Sequence, residues 1–487
     1  MRKFPACHIF TVGTENFAYD LNSQQLLAVE PELAEALQGG GGGSAAALEV
    51  LRRAQDMENL FLSHRPRLVP QPTGRDAEVD KDLQHLILTV TEACNLRCAY
   101  CLHGANLGWV RDHGQRRMSV DTAVAAVEYF LDRRDLERDP VISFYGGEAL
   151  MNMEVVEAVV AAAHNHPRGG ETIFAIDTNG VLMDDTVIDF ILKDLELREK
   201  FYLQISIDGP AAMHDRYRRD TSGQPTFDRI MANIGRLLDR DPTAANRLTS
   251  VLTLAPPVDL FAVADLFAAF PPYLERGITK QPKVTVNFAN LKGQKWRPGQ
   301  EEAIGLPTVL AQIELAREMY LKAFAASKRH EISPVIRALF EPELIRFYHR
   351  SRAPLGENYT PGGNCRPGRR KLHVTVDGRL QPCERTGNVV SLGTIKTGIR
   401  VRRVRKLDED FHNAVKDRCG SCWALRLCNV CFAAQAENVN LETGELPVPE
   451  SVCRRVRAQK RETLKMMVRI LAMPAETREW LDQTELV

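Results

Sequence analysis

The chain has 487 residues, and 63 Lys plus Arg are balanced by 63 Asp plus Glu, so it carries no net charge. That length is too great for one ordinary core and implies two or three domains. The charge balance excludes nucleic acid as an expected partner, because such binders carry a basic excess. No apolar run reaches the ~18 residues of a membrane span, and MRKFPACHIF lacks a signal-peptide core, so a cytoplasmic protein with no membrane contact is expected.

Residues 8–30 alternate as three short strands, HIFTV, NFAYDLN and QQLLAVE. PELAEAL reads as a short helix, Gly39 to Gly43 break the chain, and a second helix is expected over 45–62. The glycine run follows a helix and lacks a P-loop lysine, so it reads as a linker rather than a phosphate cradle. Residues 1–82 are therefore expected to form a small α+β unit. From 84 onward strand candidates recur at 86–90, 141–145, 172–176, 202–207, 248–254 and 283–288, with helical stretches such as 119–133, 153–164 and 226–239 between them. Strands alternating with helices imply a parallel sheet curved into a barrel or part of one over 83–330. The unusual residues fall just after strands, on the rim where a β/α barrel builds its site. A helix at 302–327 leads to a helical bridge at 331–360. Residues 361–487 then turn to cysteines, glycines and short strands, closed by a helix at 454–472.

Eleven cysteines are present. They form two groups, Cys94 to Cys101 and Cys365 to Cys453, with Cys7 alone. That clustering favours metal ligation in a reducing compartment over a disulfide framework. Cys94, Cys98 and Cys101 give C-x3-C-x2-C on the loop after the first barrel strand. Three soft thiolates suit an iron–sulfur cubane and leave one position open; the alternative is a zinc site completed by His103. Cys7 reads as a small core hydrophobe.

The first group, with Tyr100 just before its last cysteine, resembles the signature of radical S-adenosylmethionine (SAM) enzymes. The resemblance implies a partial (β/α)6 TIM-like barrel in which Cys94, Cys98 and Cys101 hold a [4Fe–4S] cluster that SAM chelates and that cleaves SAM to a 5′-deoxyadenosyl radical. By the same resemblance Tyr100, Gly146, Gly147, Glu148, Asn179, Ser206, Asp208 and Arg218 would bind SAM. Glu148 would accept from its amino group and Arg218 would meet its carboxylate. Each alone is weak: G-G-E and D-G are usually turns, and Arg218 could equally form a plain surface salt bridge.

The second group reads Cys365-x12-Gly378-x4-Cys383, Cys419-x2-Cys422-x5-Cys428-x2-Cys431, then Cys453. It resembles the seven-cysteine SPASM domain, although that family usually places three residues in the last gap, where Asn429 and Val430 stand here. The resemblance implies two auxiliary [4Fe–4S] clusters, three clusters in all. Cys365, Cys383 and Cys431 would hold the inner one, its fourth position open or filled by another residue. Cys419, Cys422, Cys428 and Cys453 would hold the outer one. A zinc ribbon on residues 419–431 is the alternative.

SPASM enzymes act mostly on peptides, and the first 82 residues resemble the winged-helix-like leader-recognition element of peptide-maturing enzymes. Strand addition at its sheet edge would bind a precursor's leader and hold the core peptide at an effective concentration on the order of millimolar; an inert barrel cap is the alternative. The run around Cys365 and Cys383 also resembles maturases that form cysteine thioethers. The expected partners are a leader-bearing precursor peptide and an external one-electron reductant. Carbon–carbon crosslinking is the rival chemistry, a non-catalytic metal-bearing scaffold the rival class. A sulfatase-type formylglycine maturase is less expected, because about 80 residues precede the barrel here. The basic stretch Arg400, Arg402, Arg403, Arg405 and Lys406 reads as a solvated face.

Overall fold

The computed structural model describes residues 6–38, 44–70, 79–104, 109–289, 306–361 and 366–484. The Gly39–Gly43 break and Cys365 lie outside them. The first unit is an antiparallel sheet of β1 (Cys7–Val12), β2 (Glu15–Asp20) and β3 (Leu26–Val29), in that spatial order, followed by helices Pro31–Gln38 and Ala45–Glu58. The second helix stops short of the expected residue 62. Asn59 takes a left-handed C-cap (φ 55°), a conformation asparagine tolerates, and its backbone N–H donates to Ala54. Cys7 packs with Ile9 and Leu27 against the core of these helices, the apolar role expected of it.

After β4 (Arg67–Leu68) the barrel strands follow: β5 (His85–Thr91), β6 (Val141–Gly146), β7 (Ile173–Thr178), β8 (Phe201–Ser206), β9 (Leu248–Leu254) and β10 (Lys283–Phe288). All six are parallel, side by side in chain order, with helices between them. One face of each strand is apolar and packs under the helices. There Phe144, Phe174 and Phe201 stack on adjacent strands with ring centroids 6.2–6.4 Å apart.

The C-terminal part supplies β11 (Asn358–Tyr359), which pairs with β4, then β12 (Lys371–Val374), β13 (Arg379–Gln381), β14 (Gly393–Thr394) and β15 (Gly398–Ile399). β12 lies parallel beside β5, and β13 to β15 extend the sheet antiparallel, giving ten strands in one sheet among the described residues. The barrel sheet thus runs across the expected boundary at 361. Arg400 to Lys406 lie at the start of helix Val401–Cys419, and helix Glu450–Leu471 closes the chain ahead of a last short helical segment. No helix among the described residues is long and apolar enough to cross a membrane.

The first unit docks on this C-terminal part. His8 stacks on Trp423 at 3.9 Å and accepts from Arg461 Nε at 3.2 Å, Tyr19 meets Trp423 edge-on, and Arg426 donates to the Asn22 carbonyl at 2.8 Å. Burial, then Arg461, pushes the His8 imidazole down to about 4, so it is the neutral acceptor this contact needs. Trp423→Ala is expected to weaken the seat by about 2 kcal/mol, part of the usual cost of truncating a tryptophan. Hydrogen exchange should then quicken in β1–β3 while the barrel strands stay protected; uniform loosening would contradict a local seat.

Candidate active site

The first cysteine loop is held from two sides. On one, the end of β6 lies flush on it: Gly147 N donates to Thr91 O and Glu148 N to Ala93 O, both at 2.9 Å. A Cβ on Gly146 would stand 2.3 Å from Thr91 O and one on Gly147 2.2 Å from Ala93 O. The glycines are thus required by backbone packed on backbone. On the other side, residues 217–221 pair with the loop: Arg97 N donates to Arg219 O, Ala99 N to Tyr217 O and Thr221 N to Asn95 O, at 2.8–3.1 Å. Within it, Cys101 N donates to Cys98 O at 3.0 Å and Leu96 N to Cys94 Sγ at 3.4 Å.

The polar residues expected at the rim form two buried constellations. Glu148 accepts from Leu150 N (3.0 Å), Thr178 Oγ1 (2.7 Å) and Asn179 N (2.7 Å), latching the end of β6 to that of β7. Burial pushes its carboxyl upward, against these donors. Asn179 donates through Nδ2 to Asn95 Oδ1 in the cysteine loop at 2.8 Å. Asp208 takes the Tyr100 hydroxyl and Arg218 Nε (2.8 Å) on one oxygen and Thr253 N (2.9 Å) on the other. The surface salt bridge considered for Arg218 is instead a buried pair, both side chains 10% exposed or less. Ser206 ends β8 beside Val251 and is partly buried.

Cys94, Cys98 and Cys101 lie within electrostatic reach of one another. Burial pushes the thiols of Cys94 and Cys98 up to about 11 and 12, with Arg218 drawing Cys98 back. Nearby, Arg111 Nη2 and His113 Nδ1 are buried without a hydrogen-bond partner among the described residues, and His103 Nδ1 is engaged with the Arg111 carbonyl at 3.0 Å. Among the described residues no three Cys, His, Asp or Glu side chains close around a single ion. Neighbouring soft donors beside unfilled polar atoms fit a cluster larger than one ion.

In the C-terminal part Cys419, Cys422, Cys428 and Cys453 also act on one another electrostatically, and burial pushes Cys419 up to about 12. Cys383 and Cys431 each open a short helix, Glu384–Thr386 and Phe432–Ala436, and these two helices touch. Sequence reasoning missed the 217–221 clamp and the inward-facing Asp177, whose one signal was a carboxylate closing an apolar strand.

Residues 88–257 match the Radical SAM superfamily. An uncharacterized protein of Methanocaldococcus jannaschii is 31% identical over 144 residues, 30% of this chain and 45% of that protein. The serine-type anaerobic sulfatase-maturating enzyme of Bacteroides thetaiotaomicron is 25% identical over 158 residues, 32% of this chain and 37% of that enzyme. The chain thus spans less than half the length of these relatives. Native anSMEcpe with bound AdoMet superposes with a TM-score of 0.55 at 17% identity, covering 83% of this chain and all of that one, a likeness of fold. The match places a Radical SAM domain on residues 88–257.

Gly147→Ala tests the clamp. With its Cβ driven against Ala93 O, the cysteine loop must shift, and about four irons per chain and SAM binding should be lost while circular dichroism stays unchanged. A folded variant with full iron would show that the loop does not depend on this contact.

Proposed function

We propose that the chain is a radical SAM peptide maturase that installs crosslinks, cysteine thioethers, in a ribosomally made precursor. The observation that carries the reading is the clamped loop bearing three mutually close, partly buried cysteines beside the Glu148 and Asp208–Arg218 constellations. Cys94, Cys98 and Cys101 would hold the SAM-binding cluster. Tyr100, Gly146, Gly147, Glu148, Asn179, Ser206, Asp208 and Arg218 would line the SAM side. When bound, SAM and its reduced cluster supply a 5′-deoxyadenosyl radical that takes a hydrogen atom from the substrate. The protein's part is orientation: the Asp208–Arg218 pair fixes segment 217–221, and Asn179 fixes the loop from β7.

Cys365, Cys383 and Cys431 would hold an inner auxiliary cluster and Cys419, Cys422, Cys428 and Cys453 an outer one. The mutual proximity of the last four supports that allocation. β3 pairs only with β2 among the described residues, so its other edge is available to a leader strand. A second reading, oxidation of a protein side chain, is favoured by the likeness to the sulfatase-maturating enzyme; the unit ahead of β5 favours the leader-bearing precursor.

About twelve irons per reconstituted chain are expected, four for each cubane. Replacing Cys94, Cys98 and Cys101 together by Ala should remove about four of them and all 5′-deoxyadenosine; continued SAM cleavage would sink the assignment. A leader-bearing precursor should bind the full chain at least about tenfold tighter than its leaderless core. Equal affinity would make the first unit a cap and move the function toward leader-independent protein oxidation.

A further inference from the structure

The segment after the first cysteine loop is wedged between that loop and the C-terminal part. Trp109 and Val110 are buried with Ala436, and Trp109 O accepts from Asn388 N at 2.7 Å. Further on, Glu92 N donates to Arg116 O and Met118 N to Val90 O, both at 2.9 Å, so the segment returns along the end of β5. Arg111 stands between these anchors and reaches both ends of the cysteine loop. Its Nη1 donates to the carbonyl of Glu92, just ahead of Cys94, at 3.4 Å. Its own carbonyl accepts from Nδ1 of His103, just after Cys101, at 3.0 Å. Gly104 N donates back to Cys101 O at 3.1 Å, which fixes that end.

The other guanidiniums around the loop are already engaged. Arg218 gives Nε to Asp208 at 2.8 Å. Arg116 grips the Glu92 carboxylate with Nε at 2.9 Å and Nη2 at 2.6 Å, which takes up the acid beside Arg111. Arg97 is exposed and donates to the carbonyls of Cys94 and Leu96. Arg111 is bonded to no carboxylate among the described residues, and its Nη2 is buried there without any hydrogen-bond partner. An enclosed guanidinium in that state is costly and calls for an anionic acceptor. Burial pushes the Arg111 guanidinium below its usual range, and Tyr145, Glu92, Cys101 and Cys94 draw it back up. Burial pushes the Tyr145 phenol upward, so it stays neutral, and Glu92 is taken by Arg116. The cysteines remain as the acceptors.

We propose that Arg111 is the counter-charge of the cluster on Cys94, Cys98 and Cys101, a positioning residue that donates Nη2 to the sulfur side of the cluster and raises its reduction potential. This rests on the reading that those cysteines hold the SAM-binding cluster, and adds to it a residue outside the cysteine signature. Ligated thiolates are anionic acceptors, and hydrogen bonds to them from a guanidinium are of the strong, charge-assisted kind. Reduction brings one electron from the external reductant and makes the cluster more negative. A cation held beside it therefore stabilises the reduced form more than the oxidised one. Arg111 keeps its proton throughout.

The test uses the anaerobically reconstituted full chain without SAM, reduced stepwise with dithionite and followed by EPR. The chain with Cys94, Cys98 and Cys101 replaced by Ala supplies the auxiliary signals to subtract. Arg111→Met keeps a long side chain without charge, and Arg111→Lys keeps the charge. In Arg111→Met the reduced-to-oxidised ratio of the first cluster at a given potential is expected to fall about tenfold, a downward shift of about 59 mV for one electron. Arg111→Lys should keep most of the original value. Full iron and an unchanged potential in Arg111→Met would overturn the proposal. Equal shifts in both variants would overturn it as well, since charge would not be the cause. If Arg111→Met holds no first cluster, iron content decides: recovery in Arg111→Lys supports the proposal, and loss in both overturns it. Weaker SAM binding by Arg111→Met at unchanged potential would overturn it too, by assigning the guanidinium to the cofactor. The two readings stay apart on the unaltered chain. A first-cluster signal that is absent, or that SAM does not change, removes the cluster reading and the proposal with it. A SAM-responsive signal whose potential ignores Arg111 removes the proposal alone.

Discussion

Everything at the rim depends on backbone hydrogen bonds that hold the cysteine loop between two neighbours. A loop bearing three ligands has no regular structure of its own to fix its thiols, and each ordered residue costs about 1–2 kcal/mol of backbone entropy. The protein meets that cost by borrowing order from the ends of strands. Gly147 and Glu148 bind the loop from β6, and residues 217–221 bind it from the far side as an improvised ribbon. Side chains then lock the clamp: Glu148 ties β6 to β7, Asn179 ties β7 to the loop, and Asp208 ties Tyr100 of the loop to Arg218 of the ribbon. Because Asp208 and Arg218 are buried together, removing either would leave the other's charge uncompensated, a far larger penalty than losing a surface pair.

The same economy joins the barrel to the C-terminal part. β12 adds directly to β5, so the strand that delivers the first cysteine group is one strand away from β13, which runs into Cys383. His373 on β12 bonds Thr89 on β5 at 2.7 Å, and Asn388 N donates to Trp109 O at 2.7 Å. Gly387 makes that second contact possible, for a Cβ there would stand 2.1 Å from the same carbonyl. The first cysteine loop and Cys383 therefore share one sheet rather than a hinge.

Much of this was legible in the sequence, for physical reasons that differ by element. The barrel strands showed as short apolar runs because their outer faces must bury Phe144, Phe174 and Leu203 under helices. The order of Cys94, Gly146–Glu148, Asn179 and Asp208 was legible because a parallel barrel returns each strand end to one rim. What the glycines do was not: periodicity reports which face a residue takes, not which backbone approaches it. Arg218 was ambiguous because a salt bridge's worth depends on burial, which only the fold sets. Asp177 passed unnoticed because one acid at the end of TIFAI looks like a strand stopping. The continuity of β5 with β12 was hidden likewise, since cysteine-rich texture suggests a separate body and pairing register is non-local.

The C-terminal cysteines add a last constraint. Between helix Val401–Cys419 and helix Glu450–Leu471 the described residues hold one short helix, Phe432–Ala436, and otherwise turns, so little regular packing fixes Cys422, Cys428 and Cys431. Burial nevertheless pushes the thiols of Cys419, Cys428 and Cys453 upward. Hydrogen bonds supply part of the missing order, since the Cys428 thiol is bonded to the Val430 backbone and the Cys422 thiol to Arg457. The seat of the first unit lies on this same segment, through Trp423 and Arg426. The placement of the β1–β3 unit is thereby coupled to the order of the turns that carry Trp423 and Arg426.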